Sequence, residues 1–266
     1  NEVKSVIGHN RYSTSGKVNK PIIKYEEDPG KIQDADKIQD VEEDKYCKIQ
    51  IQPFHDSSEP FSFVHNGTIQ GISYENNDSL DLFNSIKHYV SNKYTMKSIL
   101  MNVLHTKKGI YNLIIQTNDG LYLVRDRFGV RPFYYGYKTE NIVVCGSETI
   151  GFGNNVTGVE EVLPGEIIYI GENKQIIPYE TKKQKVIHKL YRLGEKYLNP
   201  SFCIFEYFYF MNHNSKIKNQ TLYDIRFKLG SILAKNDIKE LFTQDESVVV
   251  GSPNSGIAAG EGYALY

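Results

Sequence analysis

Phe63-Val64-His65-Asn66-Gly67 sets the end of a hydrophobic strand directly against an Asn-Gly turn. Such a turn presents a side-chain amide and a bare backbone N–H next to each other. Those are the two donors that hold the charge developing on a carbonyl oxygen during acyl transfer. The same pair after a strand also makes an ordinary hairpin turn, because both residues tolerate positive φ. What surrounds the pair decides between the two readings.

Upstream, Ser5-Val6-Ile7-Gly8-His9-Asn10-Arg11 reads as a short strand entering a polar segment. Arg11 is a candidate site residue, since a guanidinium fork binds a carboxylate through two parallel hydrogen bonds; a surface ion pair is the ordinary alternative. From about residue 17 to 48 the chain turns charged and polar, and Lys-Ile-Gln-Asp occurs at both 31–34 and 37–40. With few large apolar residues to offset ordering entropy, this stretch reads as an exposed insertion.

Downstream, Asn77-Asp78-Ser79 precedes Leu82, Phe83, Ile86 and Val90 at helical spacing, which makes Asp78 a candidate N-cap. Its carboxylate can also hold a ligand's ammonium group. A second helical pattern lies near Met101. Strand texture then dominates: Tyr111–Thr117 and Leu121–Arg125 around an Asn-Asp-Gly turn, Pro132–Gly136, Ile142–Gly146 and Glu166–Ile170. Arg125 to Pro132 reads as a salt-bridged connector. The expected fold class is α+β, with stacked antiparallel sheets and helices outside.

Residues 171–195 are rich in Lys, Glu and Gln and read as an exposed strand edge followed by a linker. Beyond them, Cys203 to Phe210 is an apolar run of strand length. Thr221 with Asp224 opens a helix whose Leu222, Ile225, Leu229, Ile232 and Leu233 share one face. Ser247–Val250 reads as a buried strand running through Gly251–Gly256 into a helix at Ile257. This order begins a parallel α/β sheet, whose ligands sit at the carboxyl ends of strands.

Composition bounds the rest. The 266 residues carry 31 Lys+Arg against 32 Asp+Glu, a formal charge of −1, which gives no reason to expect nucleic acid or an anionic membrane as partner. No run approaches the roughly 18 apolar residues of a spanning helix, and Asn1-Glu2-Val3-Lys4 has no signal-peptide pattern, so a cytoplasmic location is expected. Cys47, Cys145 and Cys203 are widely spaced and form no C-x-x-C pair, and the 7 histidines show no metal-ligand spacing.

Taken in order, several blocks resemble the amidophosphoribosyltransferases, the glutamine phosphoribosylpyrophosphate amidotransferases. They are Gly8–Thr14, Gln52-Pro53-Phe54, His65-Asn66-Gly67, Asn77-Asp78-Ser79, Arg125-Asp126 with Gly129 and Arg131-Pro132, Ser147-Glu148, Pro164-Gly165-Glu166, Cys203–Phe210, and Pro253–Gly256 with Gly262-Tyr263-Ala264. The resemblance implies a class II glutamine amidotransferase domain of the N-terminal-nucleophile hydrolase type, an α/β/β/α sandwich, over residues 1–185. Residues 186–266 would be a linker and the first part of a type I phosphoribosyltransferase domain. It implies that Arg11 binds the α-carboxylate of glutamine, Asp78 its α-amino group, and Asn66 with Gly67 the oxyanion. Ammonia released from glutamine would displace pyrophosphate from phosphoribosylpyrophosphate, giving 5-phosphoribosylamine for purine synthesis. Asn254 and Ser255 are the phosphoribosyl-site candidates. Mg2+ is the implied cofactor, purine nucleotides the implied regulators, and a homo-oligomer the implied assembly. Cys203 matches a position that is an iron-sulfur ligand in some relatives, whereas a free buried thiol is the simpler reading.

The departures carry their own expectations. The resemblance puts the nucleophilic cysteine several dozen residues before Gly8, and none of Cys47, Cys145 and Cys203 stands in for it, so the chain as given is expected to perform neither half reaction. Asn212-His213-Asn214-Ser215 replaces Arg-Pro-Asp-Ser, and Asn254 replaces an Asp. Two other readings follow: another class II amidotransferase, such as the one that makes glucosamine 6-phosphate, or a noncatalytic homologue that binds glutamine or a nucleotide.

Overall fold

The computed structural model describes residues 5–9, 52–55, 58, 60–71, 77–177, 180–217, 219–237 and 247–266. Arg11 and the insertion expected at 17–48 lie outside the described residues. The chain divides into two compact units, Asn1–Leu123 and Val124–Tyr266.

In the first unit, strand β1 (Phe54–His55) pairs with β2 (Phe61–Ile69), which pairs with β3 (Gly109–Thr117), all antiparallel. Strand β4 (Gly120–Arg125) follows β3 through a turn in which Thr117 Oγ1 accepts the Gly120 N–H at 3.3 Å. The β2–β3 register places Phe63 opposite Ile115, His65 opposite Leu113 and Gly67 opposite Tyr111. Alternation sends these side chains to one face. Between β2 and β3 the chain forms helices α1 (Asp78–Ser91) and α2 (Met96–Thr106). Their buried stripes are Leu82, Phe83 and Ile86, then Ile99, Leu100, Val103 and Leu104. The ring of Phe83 lies 5.1 Å from that of Phe61 and 5.8 Å from that of Phe54, an aromatic cluster joining helix to sheet. Each fully buried side chain of this kind contributes about 1.5–3 kcal/mol.

The second unit holds a three-stranded antiparallel sheet with β5 (Tyr134–Thr139) between β6 (Ile142–Gly146) and β7 (Thr157–Glu161). It also holds a long hairpin of β8 (Glu166–Ile177) and β9 (Glu180–Arg192). Arg125, 3% exposed, knots the start of this unit: Nη1 donates to Glu161 Oε1 and Val162 O, each at 2.6 Å, and Nη2 to Gly129 O at 2.7 Å. Asp126 Oδ1 accepts the backbone N–H groups of Phe128 and Gly129, folding the turn on itself. The expected salt-bridged connector is thus present, with Arg125 and Asp126 buried.

Beyond the hairpin, a π-helical turn (Glu206–Phe210) and a short β10 (Lys216–Ile217) and β11 (Gln220–Thr221) lead into α3 (Leu222–Asp237). Thr221 Oγ1 accepts the Asp224 N–H at 3.1 Å and donates to Asp224 Oδ2 at 2.6 Å, as the Thr-x-x-Asp spacing predicts. Helix α4 (Ile257–Ala264) packs against α3 with the backbones so close that a Cβ on Gly230 would stand 1.9 Å from Ala259 O, and one on Gly262 2.0 Å from Phe227 O.

Several expectations need correction. Asn66 and Gly67 do not form a turn; they lie inside β2, which runs on to Ile69 because Asn66 and Gly67 pair with Asn112 and Tyr111. Residues 5–9 are irregular. The stretch read as a linker is the β8–β9 hairpin. Cys203–Phe210 is no strand, because Arg226 donates to Tyr207 O and Met211 O at 2.7 and 2.8 Å and stabilises a helical turn there. The buried face of α3 is Leu222, Arg226, Gly230 and Ala234, the row that admits α4, which leaves Ile232 and Leu233 more than half exposed. Ser247–Val250 forms neither a strand nor a core: Val248 and Val250 are 86% and 83% exposed.

Candidate functional site

Strand β2 and the first turn of α1 build the site. Asn77, not Asp78, is the N-cap: its Oδ1 accepts the N–H groups of Ser79 and Leu80 at 3.0 and 3.2 Å. This frees Asp78, the first helical residue, for another bond. Its Oδ2 accepts the Ile69 N–H at 2.9 Å, tying the helix start to the strand two residues past Gly67.

A second tie runs beneath the first. His65 is 2% exposed, and its Nδ1 lies 2.7 Å from Ser79 Oγ. The same hydroxyl is 3.3 Å from Gln52 Nε2 and 3.4 Å from Asp78 Oδ1. Gln52 also brackets the His65 backbone: its Oε1 accepts the His65 N–H at 2.5 Å and its Nε2 donates to His65 O at 3.1 Å. Continuing the β1–β2 register would set residue 52 opposite residue 65, so a side-chain amide does the pairing that a strand backbone would do. Burial lowers the pKa of His65 from 6.5 to about 4, with Asp78 pulling it up and His9 pushing it down. The imidazole is therefore neutral at neutral pH.

Gly67 has φ +152°, and a Cβ there would stand 2.0 Å from Ile110 O and 2.6 Å from Tyr111 Cα. Only glycine lets the two strands approach this closely beside Asn66. The structure thus brings Asn66, Gly67 and Asp78 together.

The other described candidates belong to the second unit. Asn254 and Ser255 lie in the loop before α4, where Gly256 N donates to Ser252 O at 2.8 Å. Glu148 Oε2 accepts Asn212 N at 2.8 Å and Ser215 Oγ at 2.7 Å, so Ser147-Glu148 braces the Asn212–Ser215 turn. Cys203 is half-buried, and among the described residues no group of three or more His, Cys, Asp or Glu could hold a metal ion. Burial pushes the Cys145 thiol in β6 up to about 12, which makes it a packing residue rather than a nucleophile. No helix among the described residues is long and apolar enough to cross a membrane.

Sequence reasoning singled out Asn66, Gly67 and Asp78 but missed the roles of Gln52, His65 and Ser79. The signal available was a histidine on the core-facing side of an otherwise apolar strand, which must find a partner when buried.

Residues 44–152 match the family model described as the glutamine amidotransferase domain. The chain is 26% identical over 279 residues to the amidophosphoribosyltransferase of Methanothermobacter thermautotrophicus, covering 97% of this chain and 48% of that protein. It is 31% identical over 201 residues to the chloroplastic amidophosphoribosyltransferase of Glycine max, covering 75% of this chain and 31% of the relative. Among solved structures, it is similar to the glutamine phosphoribosylpyrophosphate amidotransferase from B. subtilis complexed with ADP and GMP. That match has a TM-score of 0.61 at 26% identity and covers 81% of this chain and 46% of that one. The chain thus spans less than half the length of these relatives. The resemblance read from the motifs holds in sequence and in structure, and the fold is α+β of the N-terminal-nucleophile hydrolase type.

Proposed function

We propose, on the premise that this chain resembles the amidophosphoribosyltransferases, that it is the glutamine-handling part of such an enzyme. The glutaminase domain runs to the end of β9 at Arg192, since a boundary at residue 185 would cut that strand, and residues 193–266 form the linker and first part of the phosphoribosyltransferase domain. The whole enzyme moves ammonia from glutamine onto phosphoribosylpyrophosphate, giving 5-phosphoribosylamine at the first committed step of purine synthesis.

The observation that carries this reading is the tie between Asp78 and Ile69. Ile69 is two strand steps from Gly67, about 7 Å. An extended glutamine reaches about 6 Å from its ammonium nitrogen to its amide oxygen. A glutamine whose ammonium rests on Asp78 therefore brings its amide carbonyl to Asn66 and Gly67. There the Asn66 side-chain amide and the Gly67 N–H would stabilise the oxyanion, and Arg11 would take the α-carboxylate. One anion, one cation and two neutral donors match the charges of an amino-acid amide.

Asn254 and Ser255 are proposed to face the phosphoribosyl group. Mg2+ in such sites is held by one or two carboxylates together with substrate phosphates. Asn254 and Ser255 supply no carboxylate for such an ion. A purine nucleotide as effector is supported by the ADP and GMP named for the B. subtilis protein. A homo-oligomer in the cytoplasm completes the reading.

Calorimetric titration with L-glutamine tests the site. Asp78→Ala or Arg11→Ala is expected to weaken binding at least tenfold, the loss of one charged hydrogen-bonded partner. Unchanged binding in either variant would refute that assignment. Mass spectrometry of the mature full-length protein from its own cells tests the mechanism. An N-terminal cysteine is expected, and any other first residue excludes glutamine hydrolysis by this route, leaving a glutamine-binding homologue without turnover. That second reading is favoured by the amides at Asn212, Asn214 and Asn254.

A further inference from the structure

We infer that His65 is a positioning residue that holds the Asp78 carboxylate to strand β2 through a directed chain of hydrogen bonds, His65 Nδ1–H to Ser79 Oγ and Ser79 O–H to Asp78. The inference deepens the glutamine-site reading and rests on it for its functional consequence.

The direction follows from counting donors. Ser79 Oγ has three neighbours, Gln52 Nε2 at 3.3 Å, His65 Nδ1 at 2.7 Å and Asp78 Oδ1 at 3.4 Å. A hydroxyl donates once and accepts twice. Gln52 Nε2 can only donate, and an ionised carboxylate can only accept. All three contacts are satisfied together only if Ser79 donates to Asp78 and accepts from both Gln52 and His65. Were Ser79 to donate to His65 instead, its oxygen would face the Asp78 carboxylate with no proton between them. The satisfied arrangement puts the imidazole proton on Nδ1.

The other ring nitrogen agrees. His65 Nε2 is buried and has no hydrogen-bond partner among the described residues. In the Nδ1–H tautomer Nε2 is a bare lone pair, whereas in the other tautomer it would be a buried N–H without an acceptor. Orphaned N–H groups are the rarer of the two in folded proteins. The ring lies near Phe63 and Tyr111, with centroids 6.4 and 6.5 Å away, surroundings that disfavour a second proton. The low pKa of His65 is consistent with this. Asp78 and His9 are the groups acting on its charge.

The consequence is geometric. Asp78 is held at both oxygens, Oδ2 by the Ile69 N–H and Oδ1 by Ser79. Its carboxylate plane is fixed relative to Asn66 and Gly67 before any ligand arrives. Loss of the chain leaves Asp78 with the Ile69 N–H alone, and the carboxylate then swings and weakens that bond.

Nitrogen NMR of the histidine rings in the full chain, with L-glutamine titration, tests this. The expected result is a neutral Nδ1–H tautomer for His65 at pH 7, lost in Ser79→Ala, with a shift of the Ile69 amide toward its position in Asp78→Ala. A His65 carrying its proton on Nε2, or an Ile69 amide unmoved by Ser79→Ala, overturns the inference without reference to any ligand. Binding supplies the second readout. Ser79→Ala should weaken glutamine about five- to tenfold, as expected for one hydrogen bond to a charged group. His65→Asn, whose amide can donate near the Nδ1 position, should retain more affinity than His65→Gln; equal loss in the two also overturns it. If the NMR results hold but neither the parent chain nor any variant binds glutamine, the glutamine reading fails and the positioning chain stands.

Discussion

Gly67 and His65 show how much one residue decides here. Gly67→Ala would drive a methyl group into the Ile110 carbonyl at a positive φ, so we expect a loss of at least about 2 kcal/mol by urea denaturation. Gly71 has φ +89° but no described residue within 4 Å of its Cβ position, so Gly71→Ala should cost only about 1 kcal/mol, the backbone contribution alone. His65 links stability to pH. Its pKa is about 4 in the folded state and 6.5 in the unfolded chain, so below pH 6.5 the unfolded state takes up the proton first. The contribution is full above pH 6.5 and is lost as pH falls toward 4, on the order of 3 kcal/mol in all. Urea midpoints at pH 7, 5.5 and 4.5 should fall more steeply for the parent protein than for His65→Asn; parallel curves would contradict the buried neutral imidazole. The motif His65-Asn66-Gly67 was legible as a candidate site, but its conformation was not. The sequence shows two turn-forming residues, and only the pairing with Tyr111 and Asn112 overrides that local preference.

At the scale of elements, helix α1 was legible in full, because Leu82, Phe83 and Ile86 recur at helical spacing and an Asn-Asp-Ser triplet precedes them. The cap was misassigned by one residue, since Asn and Asp are equally good caps and the choice is made by the Ile69 N–H that claims Asp78. Asn77→Ala should therefore cost about 1 kcal/mol in thermal or urea melts, the usual loss of a capping side chain. The elements that were not legible depend on distant partners. The β8–β9 hairpin needs only backbone pairing, which a Lys- and Glu-rich sequence neither announces nor prevents. The turn at Glu206–Phe210 is stabilised by Arg226, which stands on another helix. The run Ser247–Val250 has strong strand propensity, yet among the described residues no strand pairs with it, and propensity alone makes no ladder.

Across the molecule, apolar surface is left uncovered on the second unit. Val248, Val250, Ile232, Leu233 and Leu265 are all more than half exposed. Exposed apolar groups in this number mark surface that other protein normally covers. The chain should accordingly bind a hydrophobic dye more strongly than a Val248→Ser/Val250→Ser variant of equal helicity; equal dye fluorescence would show these residues to be shielded in solution. The first unit treats its own margin differently. Where β1 stops, Gln52 folds its amide over the N–H and C=O of His65 and occupies both. A foreign strand sliding along that margin would find the next rung already taken by a side chain that cannot pass the ladder on. At His65 that margin therefore offers no free backbone rung to an added strand.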